Sequence, residues 1–176
     1  MKTLQNYITE KILINKNSKI VLYNYHPETK DELEDIIKQK IESEGNECNL
    51  NDIDTSNITN MSNLFAFSKF NGDISRWNVS KVTNMKYMFA YSKFNGDISK
   101  WNVYNVENMR GMFSSSKFNG DLSNWDVSNT RDMSGMFANS NFNGDISKWD
   151  VSNVIDKSHI FDDCPIEEKY KPKFKI

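Results

Sequence analysis

Four tryptophans, Trp77, Trp101, Trp125 and Trp149, stand 24 residues apart, and other residue types keep the same step. Gly72, Gly96, Gly120 and Gly144 do so, as do Phe70, Phe94, Phe118 and Phe142. Phe65, Phe89, Phe113, Phe137 and Phe161 form a further row. The string FNGDISKW occurs unchanged at Phe94–Trp101 and Phe142–Trp149, with near-copies at Phe70–Trp77 and Phe118–Trp125. A constant period in the twenties means one short unit that cannot bury its apolar face alone and does so against its neighbours. Such units need about three copies or more to hold together, and this chain has them.

The pattern starts before the first tryptophan. Cys48–Phe65 aligns on Gly72–Phe89, with Ile53 in the tryptophan place and Ile58 in the valine place. Trp149–Phe161 continues it with Asp156 and Lys157 where Asn-Met stood. Within a unit, Ile74-x-x-Trp77-x-Val79 has the spacing of the strand segment of a leucine-rich repeat, and residues two apart share one face of a strand. From Val82 the apolar step becomes three (Val82, Met85, Met88), which predicts a helical or 3₁₀ piece. The FNGD segment then predicts a turn, its glycine permitting a positive φ. The expected fold is therefore an α/β solenoid: a leucine-rich-repeat-like, right-handed coil of 24-residue units with parallel strands.

The core W-(D/N)-V-S-x-V-x-N-M-x-x-M-F, seen in WNVSKVTNMKYMF (Trp77–Phe89) and its neighbours, closely resembles the bacterial surface-protein repeat of the BspA type. That repeat occurs in leucine-rich-repeat-like surface proteins and mycoplasma lipoproteins. The resemblance covers about Cys48 to Phe161 and implies a leucine-rich-repeat-like fold and, for surface members, adhesion or protein binding.

The ends leave the period. Residues 1–47 read as an N-terminal α/β cap, 48–161 as the repeat and 162–176 as a C-terminal cap or tail. Leu4, Tyr7, Ile8 and Ile12 suit a short amphipathic helix, and Lys19–Tyr25 a strand. Thr29 followed by Glu32 is a capping box. It opens a helix with Leu33, Ile36, Ile37 and Ile41 on one face, ended by Gly45, and this helix is expected to cover the open end of the first unit. Pro165 and Pro172 exclude a strand interior, so the tail should fold over the last unit.

A formal charge of −2 gives no electrostatic reason to expect nucleic acid or anionic lipid. The alternating Lys169, Lys171, Lys173 and Lys175 read as a solvated edge. No apolar run reaches the roughly 18 residues of a membrane span, and Glu10 and Lys11 interrupt any leader-like apolar stretch, which favours a cytoplasmic location over the cell surface. Cys48 and Cys164 lack metal-type spacing and read as free thiols.

No cofactor is implied. The tryptophan row reads as core, since Ile53 replaces it in the first unit and would not serve a sugar platform. Asp73, Asp97, Asp121 and Asp145 read as turn caps, with carbohydrate or cation binding along these Asn-Gly-Asp turns as the alternative. Asn60, Asn84 and Asn108 read as a ladder satisfying backbone groups between units, and the methionine rows as core filling. His26 and His159 show no spacing that suggests a catalytic triad. The places that vary between units flank the inward strand positions: Arg76, Asn78, Lys100, Asn102, Tyr104, Asn124, Asp126, Lys148 and Asp150. They are expected on a concave strand face, where a monomeric, non-catalytic module would bind a protein partner, with Tyr104 a favoured hot-spot type.

Overall fold

The computed structural model describes residues 23–174. Among them one α-helix, α1 (Lys30–Glu44), and one 3₁₀ turn, Glu168–Tyr170, are the only helical elements. The rest is built from turns and isolated single-residue bridges, with no strand and no sheet. This overturns the expected α/β solenoid with parallel strands, and the leucine-rich-repeat assignment with it.

The reason lies in where the backbone N–H groups go. In the segment expected as a strand, the Trp77 N–H turns back on the Ile74 carbonyl at 3.1 Å, and the Val82 N–H on that of Val79 at 2.9 Å. The Ser75 and Ser80 N–H groups are taken by the side chains of Asp73 and Asn78. Groups consumed locally in this way are lost to a sheet ladder. The segment expected as helical differs too. The N–H groups of Met85, Tyr87, Phe89 and Tyr91 reach into the next unit, to the carbonyls of Asn108, Arg110, Met112 and Ser114. Between them, Met88, Ala90 and Ser92 turn back three residues, on Met85, Tyr87 and Phe89. The result is a run of overlapping four-residue turns. The third residue of the first and last, Tyr87 and Tyr91, has φ of 55° in each case, the type II pattern.

Each unit lies on the next with a 24-residue register. Parallel bridges link Asn60 to Asn84, Asn84 to Asn108, Asn108 to Asp132 and Asp132 to Asp156. The aromatic rows become columns. Phe65 and Phe89 stack at 5.6 Å between ring centroids, and Phe70 and Phe94 at 6.1 Å. Trp77 and Trp101 lie parallel, 2° apart in plane, with centroids at 6.4 Å, offset rather than at the spacing of a sheet. Each buried indole N–H donates to a carbonyl of the unit before: Trp77 to Leu50, Trp101 to Ile74, Trp125 to Ile98 and Trp149 to Leu122. The methionine rows, such as Met85 and Met88, fill the space between at full burial.

The glycine row serves close approach. None of Gly72, Gly96, Gly120 and Gly144 is at positive φ. A Cβ on Gly96 would meet Phe94 Cε2 at 2.8 Å, so the ring folds onto the bare backbone behind it. The asparagine reading is corrected as well. The side chains of Asn60, Asn84 and Asn108 accept from the N–H two residues ahead in their own unit. The ladder between units runs instead through the asparagines of FNGD, where Asn71, Asn95 and Asn119 accept from the N–H of Asn95, Asn119 and Asn143.

At the N-terminal end, Thr29 Oγ1 accepts from the Glu32 N–H at 3.2 Å, while the Glu32 carboxylate reaches the N–H of Glu28 rather than that of Thr29. Leu33 and Ile37 join the same buried cluster as Leu50, Ile53 and Phe65. Lys40 is pinned between Glu44 at 3.0 Å and Asp52 at 3.3 Å. Gly45, at φ 89°, closes the helix with its N–H on the Ile41 carbonyl. The expected helix over Leu4–Ile12 and most of the expected strand from Lys19 lie outside the described residues; Tyr25 makes a single parallel bridge to Ile53. At the other end Tyr170 takes the place of a further unit, its carbonyl accepting from Ile146 N–H at 3.0 Å, and Ile166 is buried. Among the described residues no helix is long and apolar enough to cross a membrane.

Candidate interaction surface

All nine residues expected to meet a partner are exposed. The register brings them into rows running down the stack, but these rows lie on turns and there is no strand face. Asn78, Asn102, Asp126 and Asp150 use Oδ1 to accept the N–H of Ser80, Tyr104, Ser128 and Ser152. They build the frame. Arg76, Lys100, Asn124 and Lys148 stand two places earlier in the sequence, and Tyr104, about half exposed at 49%, projects from the frame. Tyr104 is held through its backbone, since its carbonyl accepts from Asn129 Nδ2 at 2.9 Å.

The neighbouring aspartates are also turn closers. Asp97 accepts from both the hydroxyl and the N–H of Ser99, and Asp121 accepts from the N–H of Ser123. At Asp97 the Ser99 hydroxyl, then its N–H, and then the Lys100 ammonium hold the carboxyl below its ordinary range. At Asp145 the Ser147 groups come first and Lys148 adds to them. The face therefore carries cations set beside engaged carboxylates. Among the described residues no group of three or more histidine, cysteine or acidic side chains converges as a metal site would require.

Each histidine has a carboxylate that the spacing did not reveal. His26 Nδ1 is 3.5 Å from Asp54, and His159 Nδ1 is 2.6 Å from Asp162. Cys48 is buried, and burial followed by the Glu44 carboxylate pushes its thiol up. Cys164 is half-buried and donates to the Phe142 carbonyl at 3.2 Å. Both cysteines are free.

Sequence reasoning missed a second exposed feature. Phe67 and Tyr91 are 76% and 56% exposed, and their rings stack at 4.7 Å, 5° from parallel. They head a row that continues as Ser115, Asn139 and Asp163, all at positive φ. The signal was available, since a row reading Phe, Tyr, Ser, Asn, Asp cannot be core.

No curated protein and no solved structure matches the chain. The sequence profile of one family matches it at residues 32–140 and 114–169, a span that takes in all but the first two residues of α1, every stacked unit and about half of the tail. The chain thus belongs to the family described as "Mycoplasma protein of unknown function, DUF285".

Proposed function

We propose that this protein is a non-catalytic binding module that engages a protein partner through the exposed turn residues Arg76, Lys100, Tyr104, Asn124 and Lys148. The observation that carries the reading is the division of labour within each unit. Apolar positions are buried in columns, and Asx side chains close the turns. Between these turn closers the side chains of Arg76, Lys100, Tyr104, Asn124 and Lys148, which differ from unit to unit, are exposed to solvent. A rigid frame with variable projecting groups pre-organises a contact surface, which lowers the ordering cost of binding. Tyrosine and arginine are also the residue types that carry most binding energy where they occur. The resemblance to surface-protein repeats adds adhesion as the setting in which such a surface would act.

The test is a double substitution, Lys100→Ala with Tyr104→Ala, in the full chain. Partners are captured by affinity purification and identified by mass spectrometry. Loss of a specific partner with an unchanged unfolding midpoint is the expected result. Retention of every partner would remove this face from the assignment.

A further inference from the structure

We propose that Asn143 is a site of spontaneous covalent modification, where the side-chain amide closes on the Gly144 nitrogen and is lost as ammonia. The three other Asn-Gly pairs of the stack are held back from this reaction by the fold. The inference stands apart from the binding face proposed above.

Asn-Gly occurs four times, at Asn71-Gly72, Asn95-Gly96, Asn119-Gly120 and Asn143-Gly144. Asparagine is thermally labile. It is most so before glycine, where no Cβ keeps the following backbone nitrogen from the side-chain carbonyl carbon. That nitrogen attacks Cγ, and its proton leaves with the amide nitrogen as ammonia. Water, the one co-reactant, then opens the succinimide ring at either of its two carbonyls. One opening gives aspartate. The other gives isoaspartate, in which the main chain runs through the former side chain.

By sequence the four pairs are equal, each lying in FNGD. All four asparagines are exposed. None of the four glycine N–H groups makes a backbone hydrogen bond among the described residues. The nucleophile therefore does not tell the pairs apart, but the amide does. Asn71 Oδ1 accepts from the Asn95 N–H at 2.8 Å, Asn95 Oδ1 from that of Asn119 at 2.7 Å, and Asn119 Oδ1 from that of Asn143 at 2.9 Å. Each of these side chains is fixed to the following unit and must be released before Cγ can turn to its own glycine. Asn71 is held twice, since its Nδ2 also donates to Glu47 at 3.4 Å, and Gly72 is buried.

At Asn143 the ladder ends. Its own N–H closes the rung before, while the next rung would be Glu167, 24 places on. The tail meets the same register at Tyr170, whose carbonyl accepts from the Ile146 N–H at 3.0 Å. Glu167 is instead paired with Lys169, and among the described residues no N–H is donated to the Asn143 side chain. The residues on either side of it attach the tail, because the Phe142 carbonyl accepts from the Cys164 thiol at 3.2 Å. Conversion would add a negative charge at that seam and, in the isoaspartyl form, one main-chain atom.

The test incubates the full chain at neutral pH, in native buffer and in denaturing urea. Peptide mass spectrometry follows the mass gain at each pair, and enzymatic methylation of isoaspartate counts the isomer. In urea the four pairs should react at similar rates. In the native protein Asn143 should react about three- to tenfold faster than Asn95 and Asn119, the factor set by the hydrogen bond that each of them must break. Asn71 should be slowest. Asn143→Gln should remove most of the isoaspartate formed in native buffer. Equal native rates, no native reaction at Asn143, or undiminished isoaspartate in the Gln variant would overturn the proposal. A preference for Asn143 that persisted in urea would do so as well, by placing its cause in the local sequence rather than in the ladder.

Discussion

The indole N–H of Trp125 donates to the carbonyl of Ile98, one unit back, at 3.1 Å and out of solvent. Trp125→Phe keeps most of the ring and removes one of the two donors to that carbonyl, which still accepts from the Trp101 N–H at 3.1 Å. That loss costs about 0.5–1.5 kcal/mol. Trp125→Ala adds the cavity and should cost about 3–5 kcal/mol. Urea unfolding followed by far-UV circular dichroism distinguishes the two. Equal losses for Phe and Ala would mean that the hydrogen bond, not the packing, dominates.

Two glycines should respond differently to the same change. Gly96→Ala drives a methyl into the Phe94 ring at 2.8 Å and should destabilise by about 1–3 kcal/mol through overpacking. Gly135 has open space around it but φ of 62°. Gly135→Ala should therefore cost about 1–2 kcal/mol through backbone strain alone. Gly135→Asn should recover most of that, because Asn63 and Asn139 already occupy this region at φ 60° and 56°. Thermal midpoints of the three variants check the ranking.

The aspartate turns make stability depend on acid. The Asp97 carboxyl is lowered by the Ser99 hydroxyl and N–H, and that of Asp121 by the N–H and hydroxyl of Ser123. A carboxyl depressed on folding contributes stability above its unfolded value, about pH 3.9. That contribution is lost as the pH falls through the depressed folded value. Urea midpoints should hold steady from neutral pH down to about pH 5 and then decline. Asp97→Asn with Asp121→Asn should flatten the decline. An identical slope in parent and variant would mean that other groups control it.

The thiols should separate kinetically. Cys48 is buried and its thiol is pushed up, so it offers little thiolate at neutral pH. Cys164 is partly open. Alkylation of the native protein, followed by peptide mass spectrometry, should label Cys164 about tenfold or more ahead of Cys48, and unfolding should equalise them.

Much of this architecture is legible in the sequence because repetition acts as an internal alignment. The Phe, Trp and Met columns and the span of α1 from Thr29 to Gly45 follow from spacing and capping. The error at Ile74–Val79 is instructive. Two apolar residues two apart satisfy a strand and a pair of tight turns equally well. Asp73 and Asn78, each with a serine two places on, were the sign that side chains would compete for the N–H groups. Gly96 was likewise read through φ, when its role is the ring folded over it, a contact between residues two apart that no period reports. The exposure of Arg76, Lys100 and Lys148 was readable from alternation with buried neighbours. That of Phe67 and Tyr91 was signalled by the polar members of their row, Ser115, Asn139 and Asp163, but the left-handed turns that carry them and the stacking of the two rings were visible only once built.

The bonds that join units all connect positions a nearly fixed distance apart: Met85 to Asn108, Asn95 to Asn71, Trp101 to Ile74. Every column shares this register, so a single inserted or deleted residue displaces backbone bonds, indole bonds and ring stacks together at that interface. A whole unit, by contrast, can enter or leave with each column simply longer or shorter by one rung. Length in this molecule is therefore quantised, and change by duplication of complete units is the route that its geometry leaves open.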